Sequence, residues 1–555
     1  MYSVTTLQQG HRSPRGGSER CTRMSQEALP GTTGERGCWW EKKQHVCPLG
    51  GRRIAVTHGI WEAGDMPEAP HVVVVGGGVS GLTAAHRLRG HGATVTVVET
   101  AKRPGGKLLA SPIAGVPVDA GAEAVLARRP EAISLFSELG LDDRVVHPGP
   151  GSPSVYSRGK LRSLPKGQLM GVPGDMIALA RSGVLSWSGN VRAGLDLLLP
   201  RTPVRDDVPV AGYVGARMGS QVVDRLVEPL LGGVYAGRAD RLSLDSALPQ
   251  IAPLARQDRS LVRGVRAALN KRGPAPVSPG PVFASLRGGV ATLIDALAER
   301  CAEQLRTETR VRLLQRLPEG WRVHLDTAEQ LDCDAVLLAC PAPEAARLLD
   351  GHAPKAAREL RGIEYADTAL VTMALPVSAF PEPPTGTGFL VPKGEEGLTI
   401  KAATFSSNKW PWLAEELATA NPGEDLMVLR CSIGRFGDGG VSKRTDEELV
   451  ESSLTDLTRV TGLTGSPVQT RVTRWDGGLP QYMVGHASRI DRVRNLLEPH
   501  RGLGVCGAAY GGVGVPACIA DAGREAERLS AVFVNDSHAG SGNDAAGTNQ
   551  QGANP

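Results

Sequence analysis

Aromatic residues, long apolar runs and charge of one sign are all scarce in this sequence. Aromatics make up 4% of the 555 residues. No stretch of about 18 residues is free of glycine, proline and charge, which excludes a membrane-spanning helix. The 62 basic and 58 acidic residues leave a net charge of +4, too small to indicate nucleic-acid binding. Hydrophobic residues at 41% and charged residues at 22% are ordinary for a globular protein, and we expect an enzyme.

The nine cysteines are not spaced as metal ligands or redox pairs. None forms a C-x-x-C pair, and no histidine spacing near them resembles a zinc site. Most lie in apolar runs such as 335–340, where a free cysteine acts as a small core residue. The N-terminus has no apolar segment of the kind found in signal peptides. We therefore expect no bound metal, and a reducing, cytoplasmic location.

Residues 1–68 differ in composition from the rest of the chain. They are rich in glycine, serine, arginine and threonine and show no period of 2 or 3.6. We interpret them as a disordered extension or a mis-assigned start, with Met66 as the candidate first residue; a basic targeting arm is the alternative. The tail over 535–555 consists largely of glycine, asparagine, alanine and glutamine and is also expected to be disordered.

Between these ends, strand and helix patterns alternate at both extremes, and the middle is mixed. Helical segments broken by glycine and proline occupy 166–282, and β-rich runs lie at 369–374, 399–404 and 427–433. This order predicts an α/β fold with α+β insertions. A Rossmann-like domain would be assembled from 69–165, 283–345 and 471–534. The insertions would be a helical lobe over 166–282 and a mixed-sheet substrate-binding domain over 346–470.

A buried-strand pattern runs directly into a glycine-rich loop near residue 76. His71–Val75 is a continuous apolar run, typical of a parallel strand, and Gly76–Gly81 fits G-x-G-x-x-G. The first glycine makes the tight turn, the second admits a pyrophosphate, and the third lets helix and strand approach. The following helix offers N–H groups and a positive dipole end to phosphates, and Glu99 ends the next strand where it can bind ribose hydroxyls. The predicted dinucleotide site comprises Gly76, Gly77, Gly78, Val79, Ser80, Gly81 and Glu99.

The residues after Glu99 distinguish between NAD and FAD. In 103–107 a glycine doublet stands between two basic residues, and the segment Val118–Glu123 follows. This arrangement resembles the FAD-binding N-terminus of the amine oxidase and protoporphyrinogen oxidase superfamily. A second glycine-rich loop at 502–515 precedes Pro516, at the start of a predicted helix. A helix N-terminus stabilises the negative charge of a reduced flavin, which supports FAD independently.

Several stretches narrow the resemblance. They are Leu226–Gly237, Thr399–Pro411, Leu429–Gly437, and Arg474-Trp475 followed by Leu479–Tyr482. With these stretches the chain resembles the protoporphyrinogen/coproporphyrinogen III oxidase family, specifically its bacterial coproporphyrin III-forming branch, over 70–532.

This resemblance implies a non-covalent FAD and a porphyrinogen that loses six electrons in three flavin cycles, with oxygen reduced to hydrogen peroxide. It implies that the substrate enters a cavity between the flavin domain and the substrate domain. The cofactor contacts that it implies, beyond those above, are Arg103, Gly106, Lys107, Gly121, Ala122, Glu123, Ala124, Val311, Trp475, Ala508, Val513, Gly514 and Val515.

The propionates of the substrate predict basic residues around its pocket. Coproporphyrinogen carries four propionates and protoporphyrinogen two, and arginine binds carboxylates with paired hydrogen bonds. Arg128 and Arg129 match the position where bacterial relatives carry a basic pair, and Arg129 is the first choice. Tyr365 is a further pocket candidate, with simple core packing as the alternative. No catalytic residue is assigned, because the proton of a pyrrole nitrogen can pass to other substrate nitrogens and water.

The predicted function is oxygen-dependent oxidation of coproporphyrinogen III in haem biosynthesis. The same chemistry on protoporphyrinogen IX is the alternative, although 151–154 lacks the arginine that mitochondrial and plant relatives hold there. A flavin amine oxidase or a non-enzymatic porphyrin-binding flavoprotein is more distant. The expected partners are the porphyrinogen and oxygen, with weak membrane-surface contact through apolar segments of 166–232 and hand-over to a ferrochelatase as further possibilities.

Overall fold

The computed structural model describes residues 69–271, 281–395 and 397–540. All of them belong to one compact unit, Pro67–Pro555. The predictions made for 1–68 and for the tail beyond 540 lie outside the described residues.

The strands form two large sheets and several small sheets of two or three strands. In chain order they are β1 His71–Val75, β2 Thr94–Val98, β3 Ala110–Ile113, β4 Val116–Asp119, β5 Val125–Leu126, β6 Val145–Val146, β7 Ser154–Ser157, β8 Lys160–Ser163, β9 Gln168–Leu169, β10 Val172–Pro173, β11 Phe283–Leu286, β12 Leu305–Arg306, β13 Val311–Arg316, β14 Trp321–Leu325, β15 Gln330–Cys333, β16 Ala335–Leu338, β17 Tyr365–Pro376, β18 Gly388–Leu390, β19 Ile400–Phe405, β20 Leu426–Ile433, β21 Gln469–Pro480 and β22 Leu503–Val505.

The helices concentrate between residues 176 and 270 and flank the parallel sheet elsewhere. They are α1 Val79–Gly90, α2 Pro130–Glu138, α3 Met176–Ser182, α4 Trp187–Gly194, α5 Val210–Met218, α6 Ser220–Val222, α7 Glu228–Tyr235, α8 Leu244–Ala247, α9 Ala252–Gln257, α10 Leu261–Asn270, α11 Thr292–Arg300, α12 Ala342–Leu349, α13 Pro354–Arg361, α14 Ser406–Lys409, α15 Pro411–Ala420, α16 Asp446–Thr461, α17 His486–Leu497 and α18 Val515–Gly540.

A parallel five-stranded sheet in the order β12-β2-β1-β16-β22 forms the nucleotide-binding half. The valines of β1 are buried on both faces of this sheet. Val72 and Val74 face the cluster that includes α1, α11 and α18, and Val73 and Val75 face the cluster that includes α12, α13 and α17. Full burial of one such side chain contributes roughly 1.5–3 kcal/mol, which explains why β1 contains no polar residue after His71.

A mixed seven-stranded sheet in the order β21-β17-β20-β19-β18-β7-β8 forms the second half. Its neighbours pair antiparallel except β18 and β7, which run parallel. One face packs in a cluster with α16 through residues such as Val371, Leu429 and Cys431. The helical lobe, α3 to α10, has its own core. No helix among the described residues has both the length and the apolar character needed to cross a membrane.

The predicted fold class is confirmed, and the parallel sheet draws its strands from three separated stretches of chain. The seven-stranded sheet, however, takes β7 and β8 from before residue 165 and most of β21 from after residue 470, beyond the predicted limits of the inserted domain. These strands are assigned to a sheet by distant partners, as when Phe389 pairs with Ser154, and local patterns do not carry that information. Helix α18 also continues past Asn535 to Gly540, because no glycine or proline stands between Gly523 and Gly540.

Candidate active site

The glycine-rich loop connects β1 to α1 through contacts that a side chain would block. Gly76 has φ +110°, and a Cβ there would lie 2.9 Å from the carbonyl oxygen of Ala339. A Cβ on Gly81 would overlap the carbonyl oxygen of Gly76, so the third glycine is required for α1 to approach the strand. A Cβ on Gly78 would meet nothing within 4 Å, so this glycine faces open space at the start of α1.

Glu99 holds the glycine-rich loop from the end of β2. Its Oε2 accepts a hydrogen bond from the backbone N–H of Gly77 at 2.7 Å, and its Oε1 accepts one from Ala101 at 2.8 Å. The side chain is half-buried beside the loop. The carboxylate that the sequence predicts as a ribose ligand therefore lies directly beside the predicted phosphate site.

The Gly105–Gly106 doublet lies against the glycine-rich loop 76–81. The N–H of Gly105 donates to the carbonyl oxygen of Gly77 at 2.7 Å, and Gly105 forms an isolated bridge with Gly78. Arg103 donates to the carbonyl oxygens of Pro104 at 2.9 Å and Gly106 at 3.0 Å. In this structure the Arg103 guanidinium thus shapes its own loop, and its predicted contact with the cofactor stays a prediction.

The N-termini of α1 and α18 converge at Ser80. A Cβ on Gly507 would lie 3.6 Å from the Ser80 hydroxyl oxygen. Burial raises the pKa of the Cys518 thiol to about 11, and a hydrogen bond between Cys518 and Ser80 acts in the opposite direction. Burial lowers the pKa of the nearby Lys107 ammonium, and the group that opposes this effect is the Cys518 thiol, not a carboxylate. An anion would stabilise a cation in this position.

Asp521, buried in α18, anchors the C-terminal glycine-rich loop. Its Oδ2 accepts the N–H of Gly507 at 3.0 Å, and its Oδ1 lies 2.6 Å from Arg494 Nη2 and 2.8 Å from Arg524 Nη2. The Ala508 carbonyl oxygen accepts the Tyr482 hydroxyl at 2.6 Å. The loop is therefore fixed from both sides before α18 begins at Val515.

The segment 119–124 passes close to Lys107, the residue that follows the Gly105–Gly106 doublet. A Cβ on Gly121 would overlap the Lys107 carbonyl oxygen and would lie 3.4 Å from Cζ2 of Trp475. The Trp475 indole N–H donates to the carbonyl oxygen of Ala120 at 2.9 Å. Four predicted cofactor residues, Lys107, Gly121, Ala122 and Trp475, are thus brought together; the N–H of Ala122 also donates to the Lys107 carbonyl oxygen at 3.2 Å.

Glu123 is the centre of a buried charge cluster. Its Oε2 lies 2.9 Å from Lys409 Nζ and its Oε1 lies 3.7 Å from Arg430 Nη1, while Arg430 Nη2 donates to the Gly121 carbonyl oxygen at 3.1 Å. Burial alone would raise the pKa of Glu123, but the charges of Lys409 and Arg430 lower it to about 2. This carboxylate is ionised at any physiological pH and faces two cations. The charge of Arg430 also acts on the buried carboxyl of Asp119, whose pKa burial raises to about 7.

Arg430 belongs to the face of the seven-stranded sheet that is not covered by α16. The register aligns Thr372, Arg430 and Thr404 on neighbouring strands, and Leu370, Ser432 and Ala402 form the next row. Thr404 and all three residues of that next row are only half-buried although their strands are central. Since Arg430 contacts Gly121, this open face is directed toward the cofactor segment and forms one wall of a cleft.

The remaining predicted residues are more dispersed. Val311 is buried in β13, and its carbonyl oxygen accepts Arg347 Nη2 at 2.6 Å. Arg128 and Arg129 are exposed, and Arg129 Nη2 lies 2.7 Å from Glu131 Oε1. Val513 packs against the core of the helical lobe, Gly514 is exposed and Val515 is buried.

Tyr365 has a structural contact. Its hydroxyl oxygen accepts the N–H of Ala342 at 2.9 Å, at the start of α12, and its ring packs against the core shared with α12 and α13. Burial raises the pKa of this phenol to about 12. This geometry favours the core-packing alternative, and a role in substrate binding stays a prediction for Tyr365 as it does for Arg128 and Arg129.

Sequence reasoning did not assign roles to Lys401, Lys409, Arg430 and Arg435, although the stretches that contain them were singled out. The available signal was a basic residue placed inside a β-rich, otherwise apolar run, as in Thr399–Phe405 and Leu429–Ile433. A buried cation is costly unless it is paired, so such a residue indicates a specific contact.

The cradle fits an anionic dinucleotide. Gly78 faces open space beside the free N–H groups of α1, no acidic residue stands in the first turn of this helix, and the half-buried Lys107 supplies positive charge. Free N–H groups at a helix start bind phosphate oxygens. Gly76 to Gly81, Glu99 and Lys107 would hold such a cofactor, and the Gly121 and Trp475 region would contact its far end.

Comparison with known proteins gives consistent results. The family described as flavin-containing amine oxidoreductases matches residues 79–530. A coproporphyrinogen III oxidase of Mycobacterium tuberculosis is 41% identical over 457 residues, covering 81% of this chain and 95% of the relative. One of Bacillus subtilis is 32% identical over 472 residues, covering 82% and 97%. A chloroplastic protoporphyrinogen oxidase of rice is 28% identical, covering 86% and 92%.

Solved structures agree with these sequence matches. A crystal structure from Exiguobacterium sp. 255-15, described as that of a putative protoporphyrinogen oxidase, has a TM-score of 0.73 and 31% identity, covering 84% of this chain and 99% of the other. Reduced UDP-galactopyranose mutase has a TM-score of 0.63 at 15% identity, covering 84% and 94%, and shares the fold.

Proposed function

The chain belongs to the flavin-containing amine oxidoreductase family and within it to the coproporphyrinogen III oxidases, and we propose that it oxidises coproporphyrinogen III to coproporphyrin III in haem biosynthesis. It is a flavin-dependent oxidase. The observation that supports this substrate is the buried cluster of Lys409, Glu123 and Arg430 where the open sheet face meets the cofactor segment. Its two cations suit a substrate rich in carboxylates.

FAD is the proposed form of the flavin. The dinucleotide cradle at Gly76–Gly81 and the carboxylate of Glu99 are suited to a pyrophosphate and an adenosine ribose, which FMN lacks. A bound flavin would accept two electrons from the porphyrinogen and pass them to oxygen, which is reduced to hydrogen peroxide. Removal of six electrons therefore requires three cycles.

The residues of this chain bind and orient the two reactants. The α1 N-terminus and Lys107 would neutralise the pyrophosphate, and the Asp521 contact with Gly507 fixes the loop before α18. The Glu123 cluster holds Arg430 rigidly beside Gly121, so its cationic side chain has one position relative to the cofactor segment. Positioning in a cleft of this kind contributes much of the rate when a hydride is transferred.

The proposal is tested by porphyrin fluorescence in air. Purified protein is compared on coproporphyrinogen III and protoporphyrinogen IX at matched concentrations, with a heat-killed control subtracted and hydrogen peroxide measured in parallel. Preference for the four-propionate substrate, with about three peroxides per porphyrin, is expected from the six-electron stoichiometry. Preference for protoporphyrinogen IX would reassign the substrate, and no oxidation of either by flavin-loaded protein would overturn the proposal.

We propose a cytoplasmic enzyme that makes weak contact with an anionic membrane surface. One apolar stripe on the helical lobe supports the membrane contact. Trp187, Val191, Leu195 and Leu198 recur at helical spacing over α4 and the turn after it, and Trp187 is 81% exposed. Exposed Arg181 and Arg201 lie nearby in the chain. Tryptophan and flanking cations favour the membrane interface, so Trp187→Ser should reduce sedimentation with vesicles containing phosphatidylglycerol. Equal sedimentation of both proteins would remove this contact.

Hand-over to a ferrochelatase is the proposed fate of the product. Coproporphyrin III needs a metal-inserting enzyme to proceed toward haem, so transfer without release is the behaviour to look for. If a trap protein added in solution intercepts all the product in the presence of ferrochelatase, direct hand-over does not occur.

A further inference from the structure

Lys401 and Arg435 form a second buried cationic pair, separate from the Glu123 cluster. Lys401 is 4% exposed and Arg435 is 9% exposed. Lys401 Nζ donates to the Gly434 carbonyl oxygen at 2.7 Å, and Arg435 Nη2 donates to the Val391 carbonyl oxygen at 2.6 Å. The N–H of Val391 in turn donates to the Lys401 carbonyl oxygen at 2.9 Å. The two cations therefore lie at one backbone junction between β18, β19 and β20.

The positive charge of this pair is only weakly compensated. Each cation is held by a backbone carbonyl, and Arg435 Nε is buried without a hydrogen-bond partner among the described residues. Burial lowers the pKa of Lys401 to about 7, and the charge of Arg435 acts in the same direction. Two buried cations that act on each other are costly unless an anion joins them.

The acidic groups around the pair do not neutralise its positive charge. Burial raises the pKa of Glu228, whose Oε2 accepts the N–H of Ala239 at 2.6 Å. Asp438 acts on both cations but its side chain is exposed to water. Neither carboxylate is within salt-bridge distance of Lys401 or Arg435 among the described residues. An acceptor from outside the chain would supply the missing charge.

The pair lies where β19 begins and β20 ends, along the same two strands as Arg430. The register of β19 and β20 shifts between Ile400 and Ala402, beside Lys401, and Arg435 follows the end of β20. At about 3.3 Å per residue, the strand from Arg430 to Ile433 spans about 10 Å. The row formed by the half-buried Ser432 and Ala402 lies in between. These two strands thus carry one cation beside the cofactor segment and two cations at their far end.

Helix α7 covers the far end. A Cβ on Gly232 would lie 3.9 Å from Arg435 Nε, and one on Gly233 would lie 3.8 Å from Cδ2 of Leu390. The two glycines bring no side chain of α7 against Arg435, and its Nε stays buried without a hydrogen-bond partner among the described residues.

We infer that Lys401 and Arg435 form a carboxylate subsite that holds a propionate of the porphyrinogen at the end of the cleft remote from the flavin. This inference rests on the proposed function, because it assigns these residues to the same substrate. The subsite sets how far the macrocycle enters, so it fixes which carbon bridge faces the flavin.

The test compares Lys401→Met with wild type on coproporphyrinogen III and on its tetramethyl ester in the same detergent. Methionine keeps the length of the side chain and removes its charge. Loss of a charged hydrogen bond predicts a KM about 10-fold or more higher for the acid, with kcat little changed and no change for the ester. Lys443→Met, at an exposed lysine, is the matched control and should leave both KM values unchanged.

A second variant separates binding from folding. Arg435→Lys retains charge at the junction and is expected to bind coproporphyrin III, measured by equilibrium fluorescence, more tightly than Arg435→Gln, with equal flavin content in both. Equal KM increases of Lys401→Met for acid and ester would overturn the subsite. Failure of the wild-type protein to oxidise any porphyrinogen would overturn the proposed function instead, and binding of coproporphyrin III would still decide the subsite.

Discussion

The proposed cofactor cradle and the proposed substrate cleft are built from different parts of the chain. In the cradle, glycine backbone and helix N-termini form the contacts, and most of the residues lie within 76–124. In the cleft, charged side chains from 401–435 meet residues more than two hundred positions earlier, as when Lys409 reaches Glu123. The first kind of site depends on the absence of side chains, and the second depends on charge balance. The two regions should therefore fail differently when altered.

The largest effect is expected at Gly81. In Gly81→Ala the new methyl group would overlap the Gly76 carbonyl oxygen, and either α1 or the loop must move. We expect a loss of about 3 kcal/mol in stability and most of the bound flavin, measured by thermal unfolding and by flavin absorbance per chain. Gly90→Ala, where a Cβ meets nothing within 4 Å, is the control and should change stability by no more than about 1 kcal/mol. Equal behaviour of the two variants would mean that the cradle tolerates side chains.

The next effect is expected at Glu123. Glu123→Gln keeps the shape of the side chain but removes the negative charge that lies 2.9 Å from Lys409 and 3.7 Å from Arg430. The expected cost is about 3–5 kcal/mol in the free energy of unfolding by denaturant, against at most about 1 kcal/mol for Glu131→Gln at the exposed pair with Arg129.

The pH dependence of the Glu123 variant sharpens this prediction. The folded-state pKa of about 2 lies below the ordinary value of 4.5, so the contribution is present above pH 4.5 and is lost as the pH falls toward 2. The difference between wild type and Glu123→Gln should therefore narrow in acid. A difference that stays constant from pH 6 to pH 3 would argue against charge as its cause.

A smaller, pH-dependent effect is expected at Lys401. Its pKa of about 7 makes it a cation below that pH and neutral above it; Arg435 lowers this pKa, Asp438 raises it, and Glu228 acts on Arg435 from α7. A bound carboxylate will raise this pKa back toward its ordinary value. The KM for coproporphyrinogen III should rise several-fold between pH 6.5 and 9, and Lys401→Met should show a flat profile. A parallel rise in both proteins would assign the titration to another group.

The smallest effect is expected at Arg129, the first choice of the sequence analysis for the substrate pocket. Its side chain is 44% exposed and already paired with Glu131, so Arg129→Ala should change the KM for coproporphyrinogen III by no more than about 2-fold. A change larger than that of Lys401→Met would reverse the order proposed here and would assign the main carboxylate contact to Arg129.

The predictability of each region follows from the same difference. The strand, glycines, helix and acid of 71–99 are contiguous, so their order alone predicts the dinucleotide site and the fold class. Arg430 and Lys401 are each surrounded by apolar neighbours in sequence, and only the pairing of β19 with β20 and the close approach of Gly121 reveal what they face. Tyr365 illustrates the opposite case, since its partner Ala342 precedes it by a whole helix pair and a local pattern cannot distinguish that contact from a ligand.

The meeting of α1 and α18 at Ser80 also has a consequence for biosynthesis. Strand β22 pairs with β16, and the Gly507 loop completes the cradle that β1 and α1 begin. Because a ribosome delivers the N-terminal segments first, the half-built cradle must wait for more than four hundred residues of later chain, with β16 left as an open sheet edge until β22 emerges. Flavin can thus bind its complete site only at the end of synthesis. A chain truncated before α18 is therefore expected to aggregate, and not to fold into an enzyme of reduced activity.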